Sequence, residues 1–403
     1  MEARLLEASE TAVVLELRTG KRLTVSSQLL SENDRRFIDE SKNAAIEKLL
    51  QPEEAASAGE QVIADFPAEP GKISAAIPCK LSREWSYFVY LPKTFRRSRQ
   101  YPVIYLMDPG GGKASTVQRY VATAERHGVI LVASKEAKNG FGPSDEAVQA
   151  MVADVKSRLP VLAELSFASG FSGGSRMAYL LAETDPSIAG ILACGSGMGV
   201  YPDEENSKVC RIAKLRSGLP VCSLMGTNCF NRDEAVSSQV NLDAGRSKLT
   251  FFPGKHAWAS SELIADGFSF VLGVALKDVT KPTPALREQQ LRYSRAIWLR
   301  VMAPGLRVWD KADWMAVLAG FPGEPLIKTT ATQTMAKLAK DPEVLAGRAA
   351  NEAVNEFAKK HYALYEKGKS PNPDREAEAE KIASKFQSLP QAEILRMLAK
   401  PKA

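Results

Sequence analysis

Histidine is scarce in this chain: His127, His256 and His361 are the only three in 403 residues. Any chemistry that needs an imidazole base has three candidates and no more. Cysteine is hardly more frequent, with five residues, Cys79, Cys194, Cys210, Cys222 and Cys229. None forms a C-x-x-C pair or a metal-ligand spacing with a histidine, so no metal site is expected from them. Cys194 and Cys222 lie in apolar, strand-like runs and read as packing residues, while a bridge between Cys210 and Cys229 fits the count. No run of 18 apolar residues occurs, so no membrane span is expected. The net charge of +6 is modest, and no Lys/Arg cluster is interleaved with aromatics, which argues against a nucleic-acid partner. Much of the basic excess falls in residues 281–403, where it reads as a solvated helical surface. No internal repeat stands out. Met1-Glu2-Ala3-Arg4 leads straight into an alternating pattern without a signal peptide.

What is present is the composition of a globular chain, 45% hydrophobic and 25% charged, at a length that suits two or three domains. Its most informative stretch is Phe167-Ala168-Ser169-Gly170-Phe171-Ser172-Gly173-Gly174-Ser175-Arg176-Met177-Ala178. An apolar run stops in a tight turn, and Met177, Leu180 and Leu181 begin a helical pattern after it. Gly170, Ser172 and Gly174 fit G-x-S-x-G, in which a serine on a strained strand-to-helix turn is lifted clear of the sheet. Side chains at the two flanking glycines would collide with the neighbouring strand and helix.

In chain order, residues 12–17 and 23–25 read as strands joined by a turn at Arg18-Thr19-Gly20-Lys21, with Ser31 as a helix cap before Phe37-Ile38. Residues 51–72, rich in proline, alanine and acid, read as a linker. From Lys72 onward strands alternate with helices. Strands are expected at 73–79, 85–91, 102–107, 129–134, 165–171, 189–195, 219–225 and 248–252. Helices are expected at 115–126, 144–158, 173–183, 233–245 and 259–276. Runs such as Pro102–Met107, apolar throughout, suit a parallel sheet buried on both faces. The fold class is therefore α/β, with Ser172 at the carboxyl end of a central strand. Residues 279–403 carry only helical signals, to be packed on that core or as a separate bundle.

Of the three histidines, His127 precedes Gly128 and reads as the end of a helix, and His361 falls on the apolar stripe of a late helix. His256 sits in Phe252-Pro253-Gly254-Lys255-His256-Ala257-Trp258, a loop after the last expected strand. That is the order and place of the base in a hydrolase whose triad runs serine, acid, histidine. Two N–H groups must face the oxyanion. One is expected from Gly173 and the other from Gly110, Gly111 or Gly112 in Met107-Asp108-Pro109-Gly110-Gly111-Gly112. A phosphate-binding loop is the competing reading, but neither Gly-Lys-Ser/Thr nor G-x-G-x-x-G is present.

Two resemblances follow from these residues. Leu17, Arg18, Gly20, Val25, Leu30, Ser31 and Asp34 resemble the pattern of the SHD-type domain, a small SH3-like barrel, over residues 1–50. It implies a binding role, with a protein or cell-surface partner; a purely structural hairpin is the alternative. Residues 73–278 resemble the α/β-hydrolase superfamily, on its polyhydroxybutyrate-depolymerase-like and feruloyl- or acetyl-esterase-like branch. Tyr87-Phe88-Val89-Tyr90-Leu91-Pro92, Gly110–Gly112, Gly170–Ala178 and Gly254–Trp258 carry that likeness, in the family's order. It implies hydrolysis of a small-molecule or polymeric ester without a cofactor, Trp258 at the substrate, and an extracytoplasmic (periplasmic or secreted) location with the leader absent; otherwise the location is cytoplasmic. The likeness breaks at the acid. After Ser223-Leu224-Met225-Gly226, Cys229 stands where the family has aspartate. Asp233 is the expected substitute if the loop bends back, with Glu234 beside it, although acids there also suit the start of a helix. Two functions remain open, a serine esterase and a degenerate hydrolase kept for binding.

Overall fold

A computed structural model describes residues 3–8, 12–51, 63, 66–200, 211–212, 214–239, 241–243, 245–362 and 374–400. They fall into two compact units, residues 1–53 with 287–345, and residues 54–286 with 346–403. The helical residues after 279 are thus divided between the two.

The first unit opens with an antiparallel sheet of β1 (Ala3–Ala8), β2 (Ala12–Leu17) and β3 (Arg22–Ser26). Val13 faces Val25 and Leu15 faces Leu23, and Gly20 closes the turn at φ 79°. Ser31 and Asp34 form a reciprocal capping box at the start of α1 (Glu32–Leu49), an 18-residue helix. Three strands in line are what the described residues hold here, not a closed barrel. Lys42 on α1 donates to Gln333 at 3.2 Å, which ties the N-terminal segment to residues 287–345.

In the second unit β4 (Ile77–Pro78), β5 (Ser86–Tyr90), β6 (Tyr101–Met107), β7 (Ile130–Ser134), β8 (Val161–Phe171) and β9 (Ile188–Cys194) are followed by the ribbon β10 (Gly199–Val200) and β11 (Arg211–Ile212), then β12 (Val221–Gly226) and β13 (Ser247–Phe252). Eight of them form one sheet in the order β13-β12-β9-β8-β6-β7-β5-β4. The first six in that order are parallel, whereas β5 and β4 join antiparallel at the edge. Every residue of β6, β7 and β12 is buried, as the unbroken apolar runs require. In strand order and direction it resembles an α/β-hydrolase sheet. The connecting helices are α2 (Ala114–Gln118), α3 (Val121–His127), α4 (Ser144–Arg158), α5 (Gly173–Thr184), α6 (Arg232–Gln239) and α7 (Ser261–Lys277). The helix expected over 115–126 is two, α2 and α3, with a break at Arg119–Tyr120, and the one expected to reach 245 ends at Gln239. Strand β8 begins at Val161 because a register shift lets it pair with β6 from Tyr101 onward.

The later helices are α8 (Pro284–Met302), α9 (Val308–Ala319), α10 (Pro325–Leu338), α11 (Pro342–Tyr362), α12 (Arg375–Ala383) and α13 (Pro390–Ala399). In the first unit, Arg295 on α8 is paired with Glu324 just ahead of α10. In the second, Phe357, Tyr362, Leu395 and Leu398 share one apolar cluster with Met225, Cys229, Val236 and Phe251. Arg232, 1% exposed, lies 4.1 Å from the Tyr362 ring and donates to the carbonyls of Thr227 (2.9 Å) and Leu398 (3.0 Å). The C-terminal helices therefore clamp the loop that carries Cys229.

Candidate active site

Ser172 follows the last residue of β8 and caps α5 with φ 53° and ψ −119°, and it is the one non-glycine residue with positive φ among those described. Such a conformation costs on the order of 1–3 kcal/mol and persists where its surroundings over-determine it. Here they do. Ser172 N–H donates to Cys194 O at 2.8 Å, and Ser175 Oγ lies 2.7 Å from Gly170 O while accepting from Cys194 N–H at 2.9 Å. Gly174 has no room for a side chain, because a Cβ there would strike the Met107 carbonyl and come within 2.9 Å of Asp108 N. Both obstacles are backbone of β6 and its exit. Gly174→Ala should therefore destabilise the fold by about 2–3 kcal/mol, read as a lowered urea midpoint at unchanged m-value.

His256 comes to Ser172 from the loop after β13. Its Nε2 is 2.9 Å from Ser172 Oγ. The loop is pinned to the end of β12, with Thr227 N–H donating to Phe252 O (2.9 Å) and Asn228 N–H to Gly254 O (2.8 Å). The imidazole lies between Phe230 (4.0 Å between centroids) and Phe171 (4.7 Å), and Phe171 stacks in turn on Trp258 at 5.0 Å. Trp258 also has Arg119 over its ring at 5.3 Å. Tyr120 meets the same ring edge-on at 6.0 Å. Burial, and next the charge of Arg176, hold the His256 pKa below its ordinary value.

The group facing His256 Nδ1 is Cys229 Sγ, at 3.1 Å. Cys229 is fully buried as a thiol; Cys210, its expected bridge partner, lies outside the described residues. Asp233, expected to orient the histidine, instead meets Arg232 Nε at 3.3 Å in the first turn of α6. The loop does not bend back, because Arg232 beside it is anchored under the C-terminal helices. Glu234 is likewise engaged, in a two-point pair with Arg176 (3.1 and 2.5 Å) and by Gly199 N–H at 3.1 Å.

The glycine loop also departs from expectation. Gly110 N–H donates to Asp108 Oδ1 (2.9 Å), Gly111 N–H to Asp108 O (2.9 Å) and Gly112 N–H to Ser134 O (2.8 Å). None of the three is left for an oxyanion. A Cβ on Gly111 or Gly112 would strike the carbonyls of Lys135 or Ser134, so these glycines let the loop lie against the end of β7. Gly173 is the first residue of α5, so its N–H has no acceptor inside the helix.

The other histidines are structural. His127 is buried with Nε2 2.7 Å from Ser269 Oγ, and His361 stacks on Phe357 at 4.5 Å and reaches Glu378 at 3.2 Å. Sequence reasoning missed Phe230 and the Arg176–Glu234 pair. Only proximity to Cys229 hinted at the first, and nothing local at the second. Among the described residues no cluster of side chains suits a metal, and no helix is long and apolar enough to cross a membrane.

No protein-family model matches the chain, and no curated protein does. Solved structures do. An esterase from Mycobacterium marinum is 15% identical over 60% of this chain and 90% of its own, with a TM-score of 0.40. S-formylglutathione hydrolase from Staphylococcus aureus is 13% identical over 46% of this chain and 90% of its own, at 0.37. The esterase domain of a Rhodothermus marinus protein is 10% identical over 51% and 97%, also at 0.37.

Proposed function

We propose that the protein is a slow serine hydrolase of carboxylic esters. The observation that carries this reading is the 2.9 Å approach of His256 Nε2 to a serine hydroxyl held at positive φ. Ser172 Oγ attacks the ester carbonyl as His256 takes its proton. The tetrahedral intermediate collapses with transfer of that proton to the leaving alcohol, and water, activated by the same imidazole, then releases the acid. Cys229 supports half of what an aspartate would do. The Gly195 carbonyl, 3.9 Å from its sulfur, gives the thiol proton an acceptor. A sulfur lone pair then faces Nδ1–H, and the basic tautomer points at Ser172. A neutral thiol brings no charge to balance the imidazolium, so that step stays costly.

A fluorophosphonate probe tests the reading. It should label wild type at Ser172, located by peptide mass, and should leave Ser172→Ala and His256→Ala unlabelled. Equal labelling of wild type and Ser172→Ala would refute a serine nucleophile and leave the binding role.

The base works only when neutral, so kcat/KM should rise with pH through the His256 pKa, and its acid limb should lie below the ordinary histidine value. Arg176→Met removes the cation that disfavours imidazolium and leaves Glu234 unpaired close by. The acid limb should then move to higher pH, measured from the pH dependence of kcat/KM.

A further inference from the structure

With Gly110, Gly111 and Gly112 all engaged, Gly173 is the one expected oxyanion donor left unengaged, where two donors are needed. Beside it lies the side chain of Asn139. A Cβ on Gly173 would overlap Asn139 Oδ1, stand 2.8 Å from its Cγ and 3.1 Å from its Nδ2. No described residue hydrogen-bonds this amide, whereas the Asn139 backbone N–H is fixed to Pro109 O at 3.0 Å. That bond, with the bridge from Lys138 to Gly110, fastens the Asn139 turn to the glycine loop. A cavity of about 230 Å³, lined by Asp108, Lys138, Asn139, Gly173, Arg176 and Met177, opens at the same point. Asp108 does not compete for it as a free carboxylate, since one oxygen accepts from Gly110 N–H and the other from Thr116 Oγ1 at 3.1 Å.

We propose that the Asn139 side-chain amide is the second oxyanion donor, its NH₂ turned toward the acyl oxygen beside Gly173 N–H. The turn is rotation about χ2, a broad and roughly two-fold torsion. Gly173 is glycine because the amide occupies the space of its side chain. The Gly110–Gly112 loop then serves the oxyanion indirectly, by holding the Asn139 turn in position.

This rests on the serine-hydrolase reading, and the experiment separates the two. Wild type, Asn139→Ala, Asn139→Asp and Ser172→Ala are compared for turnover of a short-chain nitrophenyl ester and for inhibition by an aryl trifluoromethyl ketone. Asn139 is exposed on a turn, so both substitutions leave the core alone. Loss of one oxyanion donor costs about 10²–10³ in kcat with KM nearly constant. Asn139→Ala should show that loss, and its Ki for the ketone, whose hemiketal carries the oxyanion, should rise by a similar factor. Asn139→Asp should be at least as poor, since a carboxylate repels the oxyanion. Unchanged kcat and Ki in Asn139→Ala would overturn the proposal, as would a faster Asn139→Ala, which would make the amide a plug. Failure of the underlying reading looks different: Ser172→Ala would then turn over ester like wild type.

Discussion

Cys229→Asp should make this protein a much faster esterase, with kcat for short-chain nitrophenyl esters raised by about 10²–10⁴-fold, the range set by what loss of a triad aspartate costs. The gain comes from charge. Cys229 Sγ is already 3.1 Å from His256 Nδ1, so a carboxylate there meets the imidazolium as it forms. The site can receive it: Asn231 N–H donates to the sulfur at 3.4 Å, and Arg176 contributes positive charge nearby. The carboxylate should also raise the His256 pKa and move the acid limb of kcat/KM upward. Cys229→Asn, similar in size and neutral, should show no such gain. A Cys229→Asp protein that unfolds near the wild-type temperature yet turns over ester at the wild-type rate would show that charge at Nδ1 is not what limits this site.

The second large effect appears in the variant rather than in the wild type. Triad members act as a unit: removing the nucleophile from a complete triad costs roughly 2 × 10⁶ in kcat, and removing the acid alone about 3 × 10⁴. A site that already lacks the acid has only the remainder to lose, so Ser172→Ala should cost wild type about 10². In the Cys229→Asp background the same change should cost on the order of 10⁴ or more. His256→Ala should match Ser172→Ala in each background, and the double variant should be no worse than either single. Steady-state kcat for the eight proteins checks this. Equal losses in both backgrounds would mean that the introduced carboxylate does not couple to the serine.

Much of the site was legible in the chain because its signals are local. The G-x-S-x-G spacing reflects a steric demand within five residues, and the structure meets it at Gly174 with the backbone of β6. The buried strands β6, β7 and β12 could be read for the same reason, since a parallel sheet covered on both faces needs continuous apolar runs. The glycine loop misled because glycine signals close approach without saying to what. Here the close neighbour is the end of β7, and the N–H groups are used within the fold. Asp233 misled because its position depends on Arg232, and Arg232 is held by Leu398, 166 positions later in the chain.

By itself, then, the sequence determined the largely parallel α/β sheet, the strained turn at Ser172 and the place of His256 in the loop after the last strand, all set by local sterics and by chain order along a parallel sheet. Tertiary structure alone decided what stands behind and around that pair. It set Cys229 against Nδ1, turned Asp233 to Arg232, engaged the glycine amides and brought Asn139 to Gly173. Cys229 with His256, Gly112 with Ser134, Arg232 with Leu398 and Asn139 with Gly173 are contacts between separated segments of the chain, where loop conformation and packing, not residue pattern, fix which atoms meet.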